Sequence, residues 1–148
     1  METKFNFNSQ ICTSREQSER LLALGLKKET ADMYWTKPFG DWIAIVGGGK
    51  IDEDNIPAWS LHRLIEMMPQ IIGHLELAVN DAFVGYYEDR CESETGMYWE
   101  HTEESSNLYD NIISTIEWLI KEGYFPKEYL TWHEDQEKVE SFKKYLEE

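Results

Sequence analysis

Cysteine is scarce: only Cys12 and Cys91 occur in 148 residues, far apart and in different segments. Two thiols in a chain this size fit a reducing compartment better than a disulfide scaffold. Long apolar runs are missing too. No stretch approaches the ~20 consecutive apolar residues needed to span a bilayer, and no basic segment followed by an apolar one opens the chain. These absences lead us to expect a cytoplasmic protein without a membrane anchor. Positive charge is the third scarcity. Fourteen Lys and Arg face twenty-nine Asp and Glu, for a formal net charge of −15. The field of such a chain repels nucleic acid and anionic lipid, so direct binding to either is not expected.

The motifs of familiar chemistries are also absent. Gly47-Gly48-Gly49-Lys50 invites comparison with a phosphate-binding loop, but Ala44 stands where that motif needs its first glycine. Ile51 replaces the Ser or Thr that would hold magnesium. Asp52-Glu53-Asp54-Asn55 begins like a calcium loop, yet Ile56 and Pro57 follow where an oxygen ligand and a glycine are required. His62, His74, His101 and His133 lack the paired spacing of a zinc-binding helix, and the cysteines form no close pair. No serine sits in a glycine-flanked elbow. No cofactor or metal is expected, and the chain leans toward a non-enzyme, with a hydrolase whose site residues are scattered in sequence left open as a third reading.

Aromatic side chains are plentiful, at 14% of the sequence with six Trp and eight Tyr, so a folded core is expected. The central stretch Ile56–Pro69 reads as one short, sharply bounded helix. Ser60 is its N-cap, Trp59 and Leu64 have the spacing of a hydrophobic staple, and Pro69 ends it. Leu61, Leu64, Ile65 and Met68 fall on one face. Upstream, Thr13 and Glu16 have capping-box spacing ahead of Leu21 and Leu22, and Gly25 suits a Schellman ending with Leu26 returning onto Leu21. A long helix over 107–122 carries Leu108, Ile112, Ile116 and Leu119 and closes at Gly123.

Two hairpins are expected. Asp32–Thr36 and Trp42–Val46 flank the turn Lys37-Pro38-Phe39-Gly40. Leu75, Leu77 and Val79 alternate with His74, Glu76 and Ala78, and a two-residue turn at Asn80-Asp81 would set Val79 opposite Ala82, Leu77 opposite Val84 and Leu75 opposite Tyr86. Met97–His101 adds a further strand. Phe5–Asn8 alternate as a short strand or arm, and residues 127–148 form a charged amphipathic helix opened by Thr131 and Glu134. Together these elements predict a single α+β domain: antiparallel sheet built from two β-hairpins, with three to four helices packed on it.

Two functional readings fit. The acidic stretch 88–104, with Glu88, Asp89, Glu92, Glu94, Glu100, Glu103 and Glu104 against Arg90 alone, suits contact with another protein. Alternatively, Trp35, Trp42, Trp59 and Trp99 line a pocket for a flat, nucleotide-like molecule. Asp32, Trp35, Trp59, His62 and Arg63 are then the candidate binding residues, because the central helix carries three of them and the first hairpin the others.

Thr13-Ser14 with Glu16-Gln17, Leu21-Leu22 before Leu24-Gly25-Leu26, Thr30-Ala31-Asp32-Met33 and Pro57-Ala58-Trp59-Ser60-Leu61 carry a family likeness. On these residues, and on Ile112–Leu119 through Gly123, the chain resembles short uncharacterised proteins from prophages and mobile elements of gut Bacteroidetes. The resemblance implies a bacterial or phage cytosolic setting and no catalytic activity. The lack of a catalytic constellation, together with the acidity and the many aromatics, favours an accessory protein of a mobile element that binds an unidentified protein partner.

Overall fold

Among the described residues, three α-helices and two separate antiparallel sheets form a single α+β domain. The structure, a computed structural model, describes residues 9–47, 53–89 and 96–131. The expected arm at Phe5–Asn8, the glycine loop beyond Gly47, Cys91, and the helix predicted beyond Thr131 lie outside those residues. Of that C-terminal stretch, Lys127–Tyr129 form a 3-10 turn and Leu130 bridges Leu26.

Helix α1 (Arg15–Ala23) starts one residue later than its sequence suggests. Ser14 and Gln17 close the capping box, with the Gln17 N–H donating to Ser14 Oγ at 3.2 Å and the Ser14 N–H to Gln17 Oε1 at 2.9 Å. Thr13 has the spacing for the cap but not the freedom. It is fully buried, its hydroxyl accepting from the Trp59 N–H at 3.1 Å and lying 2.8 Å from Ser18 Oγ. A tertiary partner took the hydroxyl that the helix would have used. The helix ends as predicted: Gly25 has φ +105, its N–H reaches Leu22 O, and the Leu26 N–H reaches Leu21 O.

The first hairpin pairs β1 (Met33–Thr36) with β2 (Ile43–Val46), from Met33 opposite Val46 to Thr36 opposite Ile43. The central stretch corrects the sequence reading. Its first residues, Ile56–Ala58, are not helical; they form β3 on the other side of β1, with Tyr34 opposite Pro57. Proline is tolerated there because an edge strand need not donate on its outer side. Helix α2 therefore covers only Leu61–Met67. Ser60 is its cap, accepting from the Arg63 N–H at 3.1 Å, and Met68 turns extended (φ −82, ψ 136), as a residue before proline must.

The second sheet has the order β4-β5-β6-β7: Ile71–Ile72, Leu75–Val79, Phe83–Asp89 and Met97–Glu104. Strand β4 escaped the sequence reading; it pairs with β5 across the tight Gly73-His74 turn, with Gly73 at φ +59. The β5–β6 register also differs from expectation. Val79 faces Val84 and Leu77 faces Tyr86, so the tight turn is Asp81-Ala82 and not Asn80-Asp81. No described non-glycine residue has a positive φ, so the Asp81-Ala82 turn is not of the primed hairpin type. Instead Asn80 Oδ1 accepts from the N–H groups of Ala82 and Phe83, both at 2.8 Å. The slip of one residue on each strand preserves side-chain faces, so Leu75, Leu77, Val79, Val84 and Tyr86 still share one side.

Helix α3 (Leu108–Glu122) covers that side. Ile112, Ile113, Ile116 and Leu119 are fully buried with Val84, Tyr86, Leu21, Leu64 and Trp59 in one cluster. Each such aliphatic side chain stabilises the fold by roughly 1.5–3 kcal/mol through burial. Asn107 caps the helix and Gly123, at φ +79, ends it. The capped ends of α1 and α3 are clasped together: Gln17 Nε2 donates to Asp110 Oδ1 at 2.7 Å and to Asn107 Oδ1 at 3.2 Å.

Candidate functional site

The five residues singled out in the sequence divide between the joint of the molecule and its outer surface. Asp32, just before β1, accepts from the Ser60 N–H at 2.9 Å and from the Ser60 hydroxyl at 2.5 Å. It steadies the residue that caps α2, so both carboxylate oxygens are engaged. Trp59 is 0% exposed, and its indole N–H donates to Thr30 Oγ1 at 2.9 Å. Its backbone pairs with Thr13 in both directions. His62 and Arg63 lie on the outer side of α2, each near Glu66, at 3.7 Å and 3.5 Å. The His62 side chain is 90% exposed. These residues do not converge on one cleft.

Trp35 is the exception. Its indole N–H donates to Thr13 O at 2.9 Å, and its ring lines an open cleft of about 410 Å³ with Ser14, Arg15, Glu16, Glu19 and Trp42. Arg15 lies 4.8 Å from the centroid of the Trp42 ring and Lys37 lies 5.7 Å from it. The chain thus supplies its own cations to that tryptophan.

Reactive groups are few among the described residues. Cys12 is buried, and burial together with nearby Asp32 pushes its thiol up to about 11, so it is not a thiolate at neutral pH. The Tyr86 phenol donates to Pro69 O at 2.6 Å, and burial raises its pKa strongly. His101 stacks on Trp118, with ring centroids 4.4 Å apart and planes 14° from parallel. Burial lowers its pKa, against the opposing pull of Glu103, whose Oε1 is 3.2 Å from Nε2 without hydrogen-bond geometry and pairs with it as an ion only when the imidazole is protonated. No three His, Cys, Asp or Glu side chains among the described residues converge as metal ligands.

The most distinctive surface is one the sequence reading missed as a unit. It lies on the side of the four-stranded sheet opposite the core residues Val84 and Tyr86. Alternation in β6 and the pairing with β5 and β7 bring together Glu76, Phe83, Gly85, Tyr87, Asp89, Met97, Trp99, Thr102 and Glu104 on this side. Trp99 lies over Gly85, between Phe83 (centroids 5.1 Å apart, edge-on) and Tyr87 (5.2 Å apart). A Cβ at Gly85 would meet His101 O at 2.6 Å and the Trp99 ring at 3.1 Å, so glycine forms the floor. Trp99 is nonetheless 36% exposed, with Met97 and Tyr98 more open still. The Tyr87 hydroxyl donates to Glu76 Oε2 at 3.0 Å, which raises the phenol pKa.

The signal for this face was present as alternate aromatics in 83–87 and 97–99. The irregularity that keeps Trp99 opposite Tyr87, while His101 stays opposite Tyr86, was not. Glu100 is the extra residue there, a β-bulge that lets β7 put Trp99 outside and His101 inside. No helix among the described residues is long and apolar enough to cross a membrane. No known protein family, curated protein or solved structure matches this chain.

Proposed function

We propose that this protein binds another protein through the open face of its four-stranded sheet, as a non-enzymatic cytoplasmic accessory of a phage or mobile element. One observation carries the binding reading: an aromatic strip of Phe83, Tyr87 and Trp99, continued by Met97, stays partly open to solvent on a face with the core packed behind it. Tryptophan and tyrosine on a rigid support supply large contact area at little entropic cost, the usual anchors of a protein interface. The likeness to mobile-element proteins, drawn from the helix caps and the Pro57–Leu61 run, supports the setting.

Placing a photo-crosslinking side chain at Met97, and separately at exposed Val46 of the other sheet, tests this reading in extract of a bacterial host. A discrete adduct from position 97 and none from position 46 is expected. Adducts from both positions alike, or from neither, overturn it.

A second reading is favoured by the cleft between Trp35 and Trp42: a small flat anion held against the rings beside Arg15 and Lys37. Glu16 and Glu19 on the same wall oppose an anion. A thermal-shift screen with nucleotides and signalling nucleotides decides it, since a melting temperature that moves with none of them removes this reading.

A further inference from the structure

The two surface tryptophans differ in electrostatic surroundings, and the difference points to the chemistry of the partner. Trp42 already carries Arg15 and Lys37 near its ring. Among the described residues, no cation is found over the Trp99 ring. Residues 71–89 and 96–104 contain no Lys or Arg at all, against Glu76, Asp81, Glu88, Asp89, Glu100, Glu103 and Glu104. Arg90 lies outside the described residues. Three of these carboxylates share the aromatic side. Glu76 is opposite Tyr87 and accepts its hydroxyl proton, Asp89 is opposite Met97, and Glu104 is opposite Phe83, whose ring touches Trp99.

We propose that the partner docks an extended, arginine-bearing segment on this face, its guanidinium groups stacking on Trp99 and Tyr87 and pairing with Glu76, Asp89 and Glu104. The inference rests on the reading of this face as the binding surface and adds the chemistry of what covers it. Three features select arginine. The rings offer π faces that attract a cation and are met by none of the chain's described cations. The carboxylates flank the rings at sheet spacing, so a segment with side chains on alternate positions meets rings and acids in turn. A planar fork satisfies ring and carboxylate at once, which a lysine ammonium does less well. Acidic residues on a sheet margin also discourage self-association, but that purpose does not require exposed aromatics between them.

The test uses an eight-residue peptide of alternating Arg and Thr, its Lys-Thr and Glu-Thr counterparts, and the full-length protein. Binding is followed by calorimetry and by amide and indole NMR shifts. The Arg-Thr peptide is expected to bind most tightly, moving the Trp99 indole and Gly85 amide signals first. The triple variant Glu76→Gln, Asp89→Asn, Glu104→Gln should weaken binding by about tenfold or more. A control that removes equal charge near the other sheet, Glu16→Gln, Glu19→Gln and Asp41→Asn, should leave it within about twofold. Trp99→Leu, which keeps an apolar cover over Gly85, should cost about threefold. Equal weakening by the control triple would reduce the effect to general attraction of a polycation and overturn the proposal. So would equal binding of the Glu-Thr peptide, or no Arg-Thr binding. If a Met97 adduct forms while the peptides fail, the arginine chemistry falls and the binding face stands; if both fail, so do both readings.

Discussion

The two sheets of this protein solve the same problem, a half-covered antiparallel surface, in opposite ways. The three-stranded sheet turns its polar and aromatic groups inward to tie the chain together. Trp35 bonds to the backbone of Thr13, Asp32 beside it holds Ser60, and β3 leads directly into buried Trp59. Its remaining surface tryptophan, Trp42, is attended by the chain's own cations. The four-stranded sheet commits one face to the core under α3 and leaves Trp99 and its neighbours on the other, in acidic surroundings. The lesson is that aromatic content alone does not mark a site. What distinguishes a structural tryptophan from a candidate anchor is whether the chain has already used its ring and its N–H.

The largest expected effect tests the buried side of that contrast. Trp59→Ala removes a fully buried ring and the indole N–H that donates to Thr30 Oγ1, while its backbone bonds to Thr13 remain, and should cost about 3–5 kcal/mol in urea unfolding. Trp99→Leu, at the open face, should cost only about 1 kcal/mol or less. Equal losses at the two positions would break the division between joint and surface.

A smaller effect is expected at Asp32. Asp32→Ala leaves the Ser60 hydroxyl able to cap α2 but takes away the carboxylate that orients it. A loss of about 1–2 kcal/mol is expected, with peptide and nucleotide binding unchanged. A change in ligand binding without a change in stability would return Asp32 to the status of a site residue.

The smallest effect concerns His101, on the core side of β7. Its pKa is lowered by burial, so the folded protein takes up this proton less readily than the unfolded chain does. Above the ordinary value of 6.5 both states are neutral here and nothing is lost. As pH falls from there toward the folded-state value, the unfolded chain protonates first and stability declines. His101→Phe retains a flat ring against Trp118 and removes the proton site. The dependence of the urea midpoint on pH just below 6.5 should flatten in that variant. An unchanged slope would show that His101 is not the group responsible.

Much of the fold could be read from local pattern. Ser60 and Pro69 bound α2 at its working ends, Gly25 and Gly123 end their helices through positive φ, and the apolar stripe of α3 became the centre of the core. These features depend on neighbours a few residues away, which the sequence displays directly. The candidate site was less legible. Asp32 and Trp35 belong to the first hairpin and Trp59, His62 and Arg63 to the central stretch, but hydrogen bonds to Thr13, Thr30 and Ser60 decide the roles of Trp35, Trp59 and Asp32. Those partners lie far along the chain, and no spacing rule announces them.

The sequence by itself determined where α2 starts and where α1 and α3 stop, which side of each element is apolar, and the acidic balance that sets what the surface repels. Tertiary structure alone decided that Thr13 gives its hydroxyl to Trp59 and yields the cap to Ser14. It also made Ile56–Ala58 an outer strand and moved the β5–β6 turn to Asp81-Ala82. The bulge at Glu100 that turns Trp99 outward is likewise its work. The physical reason is common to all four. Caps and stripes are satisfied by local geometry, whereas a buried donor, a strand edge or a ring over glycine is satisfied only by whichever distant segment arrives beside it.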